Sequence, residues 1–426
     1  EFRRVLFRSI LAGAGLVDAG AGTGDRLVVA ATAHVTADAG KLYKNFEQLQ
    51  VNDGVSVDVT QLATTNTIDA IRINDAGSST GVTNLNATQA GNVTIVAANA
   101  TGAITIGVKD ATSAGQIDTV KANLINTNAT GTAGVAVDLT GLTLEGVEKL
   151  ELTSTGATSA TADAVTLTTT NAIALDSIKL ASAANSNVVT VASTHVGTNL
   201  VIDASASTGS TTLNAVDYTA GTTGAQLLGG SSFDVLLGAT AGADKLVGNA
   251  GNDVIVNSAY SGTITAGTAT AIGSVSGGAI TDASAADILT GGAGRDMFVL
   301  GANSAVATIS SITDLDLGGA TAALGVDGIT LDMTTAGSTT APTIATLSDT
   351  VKTNITNALT LAAALDVVAA ATDAAANTVA QFTYGTDTYL FVNNAGSTAT
   401  YQAGDDVVIK ITGVTGTLDA SDITII

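Results

Sequence analysis

Aspartates recur behind glycines at a fixed spacing between Leu227 and Leu300, and nowhere else does the chain set up chemistry so regularly. Gly248 to Val256 reads Gly-Asn-Ala-Gly-Asn-Asp-Val-Ile-Val, and Gly291 to Val299 reads Gly-Gly-Ala-Gly-Arg-Asp-Met-Phe-Val. Both fit the nine-residue pattern G-G-x-G-x-D-x-U-x, where U is a large apolar residue and Asn249 replaces one glycine. Looser copies run from Gly229 to Leu237, Ala239 to Val247 and Asp282 to Thr290, carrying Asp234, Asp244 and Asp287. Glycine tolerates positive φ and lets carbonyls turn toward a common centre, while x-U-x makes a short strand whose U faces inward. Calcium takes six to eight oxygen ligands from carboxylates and carbonyls, and this pattern supplies both. The expected ligands are Asp234, Asp244, Asp253, Asp287, Asp296 and Asp314, with the turn residues Gly229, Gly248, Asn249, Gly251, Gly291, Gly292 and Gly294. Successive turns alternate between two edges, so each turn should pair with the next but one, as Asp234 with Asp253. Asp314, eighteen residues after Asp296, would complete a second site.

Other chemistries find little support. The two histidines, His34 and His195, are far apart, and H-E-x-x-H, G-x-S-x-G and P-loop patterns are absent. Without cysteine there is neither a disulfide framework nor a thiolate site. Carboxylate pairs such as Asp314/Asp316 and Asp405/Asp406 read as calcium ligands or solvated turns rather than acid–base catalysts. No enzyme is expected. Fifteen Lys and Arg against 37 Asp and Glu give a net charge of −22, which argues against nucleic-acid binding. Only 12% of residues are charged and mean hydropathy is +0.41, unlike a disordered chain. No apolar run is long enough for a membrane span, and no cleavable signal peptide is evident.

The elements that position these turns are short strands. From Ile10 to Gln226, β-runs such as Arg26–Ala30, Val55–Val59, Asn92–Val96, Ala103–Val108 and Asn199–Asp203 alternate at period two. A weak repeat aligns Phe46–Val51 with Val147–Leu152, and Ile68–Ile73 with Leu175–Leu180, each with an acid at its second position. Such units must stack to bury their apolar face. The expected fold is all-β: an elongated parallel β-helix or β-solenoid over 10–226, a calcium β-roll over 227–300 interrupted by a loop or irregular rung at 261–283, and a small cap over 301–426 containing one helix (Asp349 to Thr372, capped by Asp349 or Thr360). Paired β-sandwich domains are the competing reading of 10–226. Glu1 to Ser9 hold three of the six arginines and resemble a translated sequencing adapter, so they are set aside, with the natural start expected upstream.

The nonapeptides resemble the RTX repeats of bacterial proteins exported by type I secretion. Phe298–Leu300, Ile312–Asp316 and Asp327–Asp332 resemble the segment after the last repeat. Thr388–Val392, Val407–Val414 and Leu418–Ile423 resemble the ends of RTX surface-layer proteins and adhesins. The likeness is specific over about the last 200 residues. It implies a secreted, calcium-dependent structural protein of the bacterial cell surface that assembles with itself into a surface layer. Its other partners would be the type I secretion machinery and the bacterial cell surface, through a polysaccharide. An adhesin fragment, or the non-catalytic tail of a secreted enzyme, are the alternatives.

Overall fold

The computed structural model describes residues 4–6, 15–75, 77–97, 103–113, 115–126, 137–154, 164–219, 223–265, 273–276, 280, 285–303, 305–318, 327–331, 342–372, 377–394, 399–416 and 418–425. Residues 1–3 and 7–14, residues 282–284 of the loosest nonapeptide, much of the insert and the turn at 395–396 lie outside these. Strand exceeds helix, 42% against 11%, and the strands form long parallel ladders, so the protein is mostly β. It divides into two compact units, Glu1–Val201 and Ile202–Ile426.

In the first unit one long parallel ladder joins Arg4–Leu6, Arg26–Val29, Gln48–Val51, Ala70–Asp75, Val93–Ala97, Thr119–Asn126, Lys149–Ser154 and Ser177–Ser182 in that order. Registers line the apolar positions into columns, Leu27–Leu49–Ile71–Val93–Ala122–Leu152–Leu180 being one. Every member is buried, so each alternate residue of a short strand finds its like above and below. The weak sequence repeat is therefore structural: Leu49 and Val51 sit opposite Ile71 and Ile73, and Leu150 and Leu152 opposite Ile178 and Leu180. Shorter parallel ladders, Ser56–Asp58/Thr80–Leu85/Ile104–Val108 and Val137–Leu139/Val165–Thr168/Asn187–Thr190, alternate with it along the chain. The acid of the repeat lies at the turn into each strand. Glu47 Oε2 accepts the N–H of Asp25 (2.8 Å) and Glu148 Oε2 that of Asp118 (2.8 Å).

In the second unit two parallel ladders take strands alternately from the chain. One holds Gln226–Leu228, Lys245–Ala250, Ile288–Ala293, Ser311–Ile312 and Val407–Ile411. The other holds Thr211–Asn214, Asp234–Leu237, Val254–Val256, Met297–Leu300, Gly328–Leu331 and Ile423–Ile425. The U residues Leu236, Ile255 and Phe298 are fully buried in one column. Their neighbours Val254, Val256 and Val299 are buried too, because the insert does not end as a loop. Thr263–Thr265 and Ser274–Ser276 pair antiparallel, and Val275 and Ile280 pack on Val235, Val254, Val256, Met297 and Val299. The insert thus seals the second face of this ladder.

The parallel order ends at Val407–Ile411, which pairs antiparallel with Asp387–Asn393, itself antiparallel to Thr378–Tyr384. The single helix expected over 349–372 is two helices, Asp349–Asn357 and Leu361–Thr372. Ala358 is extended (ψ 136°) and breaks the run. Ser348, not Asp349, caps the first helix by accepting the Val351 N–H, and Thr360 caps the second through the Ala363 N–H (3.2 Å). Both helices lay Ile355, Ala364, Leu365 and Val368 on Phe382, Tyr389, Phe391 and Val408, covering the antiparallel strands. Among the described residues no helix is long and apolar enough to cross a membrane.

Candidate metal centre

Each aspartate of the nonapeptides stands at the entry to a strand, and the alternation of ladders stacks these entries into two columns. In the first, the Asp234 N–H donates to Asp253 Oδ1 (2.8 Å), the Asp253 N–H to Asp296 Oδ1 (2.8 Å), and the Asp296 N–H to Asp327 Oδ1 (2.9 Å). The column starts at Thr211, whose N–H and hydroxyl both donate to Asp234 Oδ1 (2.6 Å each). In the second, the Ala225 N–H donates to Asp244 Oδ1 (2.6 Å) and the Asp244 N–H to Asp287 Oδ1 (2.9 Å), with the Ser310 hydroxyl closing on Asp287. The next-but-one spacing therefore brings Asp234 and Asp253 together on neighbouring rungs. Asp296 is followed in its column by Asp327, which the spacing did not single out. Asp314 lies across from it, its carboxylate accepting the N–H groups of Gly291 (3.0 Å) and Gly292 (2.7 Å).

The columns are dry. Asp234, Asp244, Asp253, Asp287 and Asp296 are all at most 2% exposed. Burial pushes their carboxyls up from the usual 3.8: Asp244 to about 8, Asp253 to about 9, Asp287 to about 7, Asp296 to about 6, and Asp234 upward. After desolvation, neighbouring carboxylates add to the rise, Asp296 and Asp234 acting on Asp253 and Asp314 acting on Asp296. Asp327 rises to about 7, chiefly through burial.

The two near-perfect copies differ from the degraded ones at one atom. Asp234 Oδ2 accepts the Gly230 N–H, and Asp244 Oδ2 accepts the Ala239 N–H (2.6 Å). Asp253 Oδ2 and Asp296 Oδ2 are buried and accept no hydrogen bond. The cause is local. At the second position of the pattern Asn249 (φ 73°) and Gly292 (φ 101°) are left-handed, a conformation open to glycine and tolerated by asparagine. The peptide N–H at that position is thereby aimed away from the carboxylate: at Gly292 it goes to Asp314. The Asn249 side-chain amide instead holds the Gly229 carbonyl (2.7 Å).

Three of the copies have no room for a side chain at the first position. A Cβ on Gly248 would strike Asp253 Oδ2 and the Gly291 carbonyl, one on Gly291 would strike Asp296 Oδ2, and one on Gly229 would meet the Gly248 carbonyl and Asp234 Oδ2. Gly251 and Gly294 likewise leave no room beside the carbonyls of Ser232 and Gly251. The space beside Asp253 Oδ2 is thus bordered by the Gly291 carbonyl, and that beside Asp296 Oδ2 by Gly291 itself. Among the described residues no three His, Cys, Asp or Glu side chains gather at one point. The donor set is accordingly mixed, side-chain carboxylate with backbone carbonyl. That set suits a hard cation and offers a soft one nothing.

His195 is buried at 4% exposure, and burial lowers its pKa from the ordinary 6.5. It lies in the first unit, outside the aspartate columns. No family model matches the chain, and no curated protein matches it.

Proposed function

We propose that the protein is a calcium-binding structural protein of the RTX type, secreted by a type I route and working at the bacterial cell surface as a surface-layer subunit. Its alternating parallel ladders are read as turns of a β-helix in the first unit and of a calcium β-roll in the second. The observation that carries the reading is the pair of buried, unpartnered oxygens, Asp253 Oδ2 and Asp296 Oδ2, each beside a glycine whose missing Cβ leaves it space. A buried carboxylate without a partner costs several kcal/mol and is kept only where a proton or cation meets it.

Bound calcium supplies the positive charge these columns lack. Asp253 and Asp296 would hold it through Oδ2, with the Gly291 carbonyl beside Asp253 as a further ligand and Asp234 and Asp327 flanking in the same column. Asp244 and Asp287 form the lesser column, where Oδ2 of each is already hydrogen-bonded. Where calcium is scarce, burying these carboxyls costs stability through desolvation and like-charge repulsion, which weakens the rungs and keeps the chain fit for export. Where it is millimolar, binding contributes folding free energy by mass action.

The test is far-UV circular dichroism of the chain titrated with calcium from chelator to about 10 mM, a range spanning sensor and extracellular affinities, with electron microscopy of the product. The expected result is a gain of β-signal that Asp253→Ala and Asp296→Ala each weaken, followed by ordered sheets. A spectrum that is β-rich in chelator and indifferent to calcium overturns the metal reading. Calcium-driven folding without sheets leaves the metal and removes the surface layer.

A further inference from the structure

Charge in the first unit is sorted by face. Between Ile10 and Val201 the sequence holds eight basic residues and sixteen acids. Five of the eight, Arg26, Arg72, Lys121, Lys149 and Lys179, lie on strands of the long parallel ladder, against two acids, Asp75 and Glu151. All five occupy positions that alternate with buried residues (Leu27, Ile71, Ile73, Val120, Leu150, Ile178), so all project from the outer face of this sheet. Lys121, Glu151 and Lys179 stand directly opposite one another on successive rungs. Lys121 is paired with Glu151 (2.8 Å), while Lys149 and Lys179 are exposed and have no ion-pair partner among the described residues. Between the cations the same face carries the at least partly exposed Gln48, Thr94, Asn123 and Thr153, in register with Arg26 or Arg72, whereas Gln50 on this face is buried.

We infer that this face binds a linear polyanion, an acidic polysaccharide whose charge is carboxylate or phosphate. The stripe crosses seven rungs, about 29 Å at the usual strand spacing, with a cation on five of them. Its amides and hydroxyls suit sugar hydroxyls. Among the described residues of this ladder no large apolar side chain is exposed, which a protein partner would need as an anchor. It has no exposed aromatic for stacking single-stranded nucleic acid either. Binding is electrostatic and shallow, so it weakens steeply with salt. The inference does not depend on the calcium reading, because none of these residues belongs to the aspartate columns.

The test is affinity electrophoresis and calorimetry of the full chain in calcium-containing buffer at about 50 mM salt, where the Debye length exceeds 10 Å. The probes are hyaluronan (carboxylate), inorganic polyphosphate (phosphate) and dextran (neutral). Retardation by either polyanion and not by dextran is expected, the responding polymer identifying the anion. Lys149→Gln with Lys179→Gln should weaken binding roughly ten-fold, and Glu151→Gln, which releases Lys121, should strengthen it. All three side chains are at the surface, and a thermal melt checks that the variants fold. Three results overturn the proposal: no retardation, equal retardation by dextran, or binding unchanged in the lysine variant. The last, with self-association lost instead, would mean that the stripe meets the acidic surface of a second copy.

Discussion

The two units solve one backbone problem with different atoms. At the entry to a strand the preceding rung leaves a buried N–H to be met. In the first unit the Val165 N–H donates to Asn187 Oδ1 (3.1 Å), and Asn187, fully buried, passes its own amide to the Ala184 carbonyl. In the second the Asp234 N–H donates to Asp253 Oδ1 (2.8 Å) in the same register relation, from one rung to the next. A neutral amide suffices for the hydrogen bond. The carboxylate in its place adds a charge that the hydrogen bond does not need and that burial opposes. Elsewhere in the first unit the acids at strand entries, Glu47 and Glu148, stay half-exposed, so water shares their charge. Buried acids occur elsewhere too, at Asp25, Asp406 and Asp422, but only the columns of the second unit stack them one above another.

The sharpest break of this comparison is to make the second unit resemble the first. Asp253→Asn keeps the acceptor for Asp234 and removes the charge. With about 1.4 kcal/mol per pKa unit, holding Asp253 neutral at pH 7 costs on the order of 4 kcal/mol. The variant should therefore be more stable than the parent in chelator by up to that amount, and calcium should no longer raise its melting temperature as far; paired thermal melts read both. A parent-like calcium response in the variant would remove Asp253 from the site. Gly291→Ala comes next. It sets a methyl against Asp296 Oδ2 and should lower the calcium affinity at least ten-fold by calorimetry, since the pocket has no slack.

Acidity probes the columns of the second unit directly. Asp244, Asp253, Asp287 and Asp296 have folded pKa values of about 6 to 9 against 3.8 unfolded. Raised carboxyls contribute stability that is complete below the unfolded value and is lost as pH climbs through the folded ones. In chelator the melting temperature should consequently rise as pH falls from 9 toward 4. With calcium bound the carboxylates must be ionised, so protons compete and the slope below pH 5 reverses. Parallel slopes in the two conditions would contradict ligation by these carboxylates. The smallest effect belongs to the first unit. Glu148→Ala strands the Asp118 N–H at a half-exposed corner and should cost about 1 kcal/mol, the same with and without calcium.

The nine-residue pattern made most of the site legible, because glycine spacing, the strand entry and the inward residue are all local consequences of one turn. Leu236, Ile255 and Phe298 could be read from it as core. Asp327 could not: it precedes a strand, Gly328–Leu331, but lacks the glycine-rich half that marks its neighbours, and only the register puts it under Asp296. The covering role of the insert was hidden for a related reason. Outward Val254, Val256 and Val299 are apolar at positions where a solvated strand would be polar, and that departure from alternation was the available signal. The helix break was not legible at all. Ala358 and Leu359 suit a helix, yet Leu359 is 95% exposed, because the chain must reverse there to lay both helices on one sheet. The leader set aside in the sequence contributes Arg4–Leu6 as a rung beside Arg26–Val29.

The columns have a direction. In every backbone N–H link the donor is the earlier residue and the acceptor the later: Thr211 to Asp234, Asp234 to Asp253, Asp253 to Asp296, Asp296 to Asp327. The array is a one-way latch, in which each rung is fastened by the one that follows it in the chain. A chain delivered from its N-terminus cannot fasten any rung until its successor arrives. Cutting the chain before Asp327 would undo the last link, not the first.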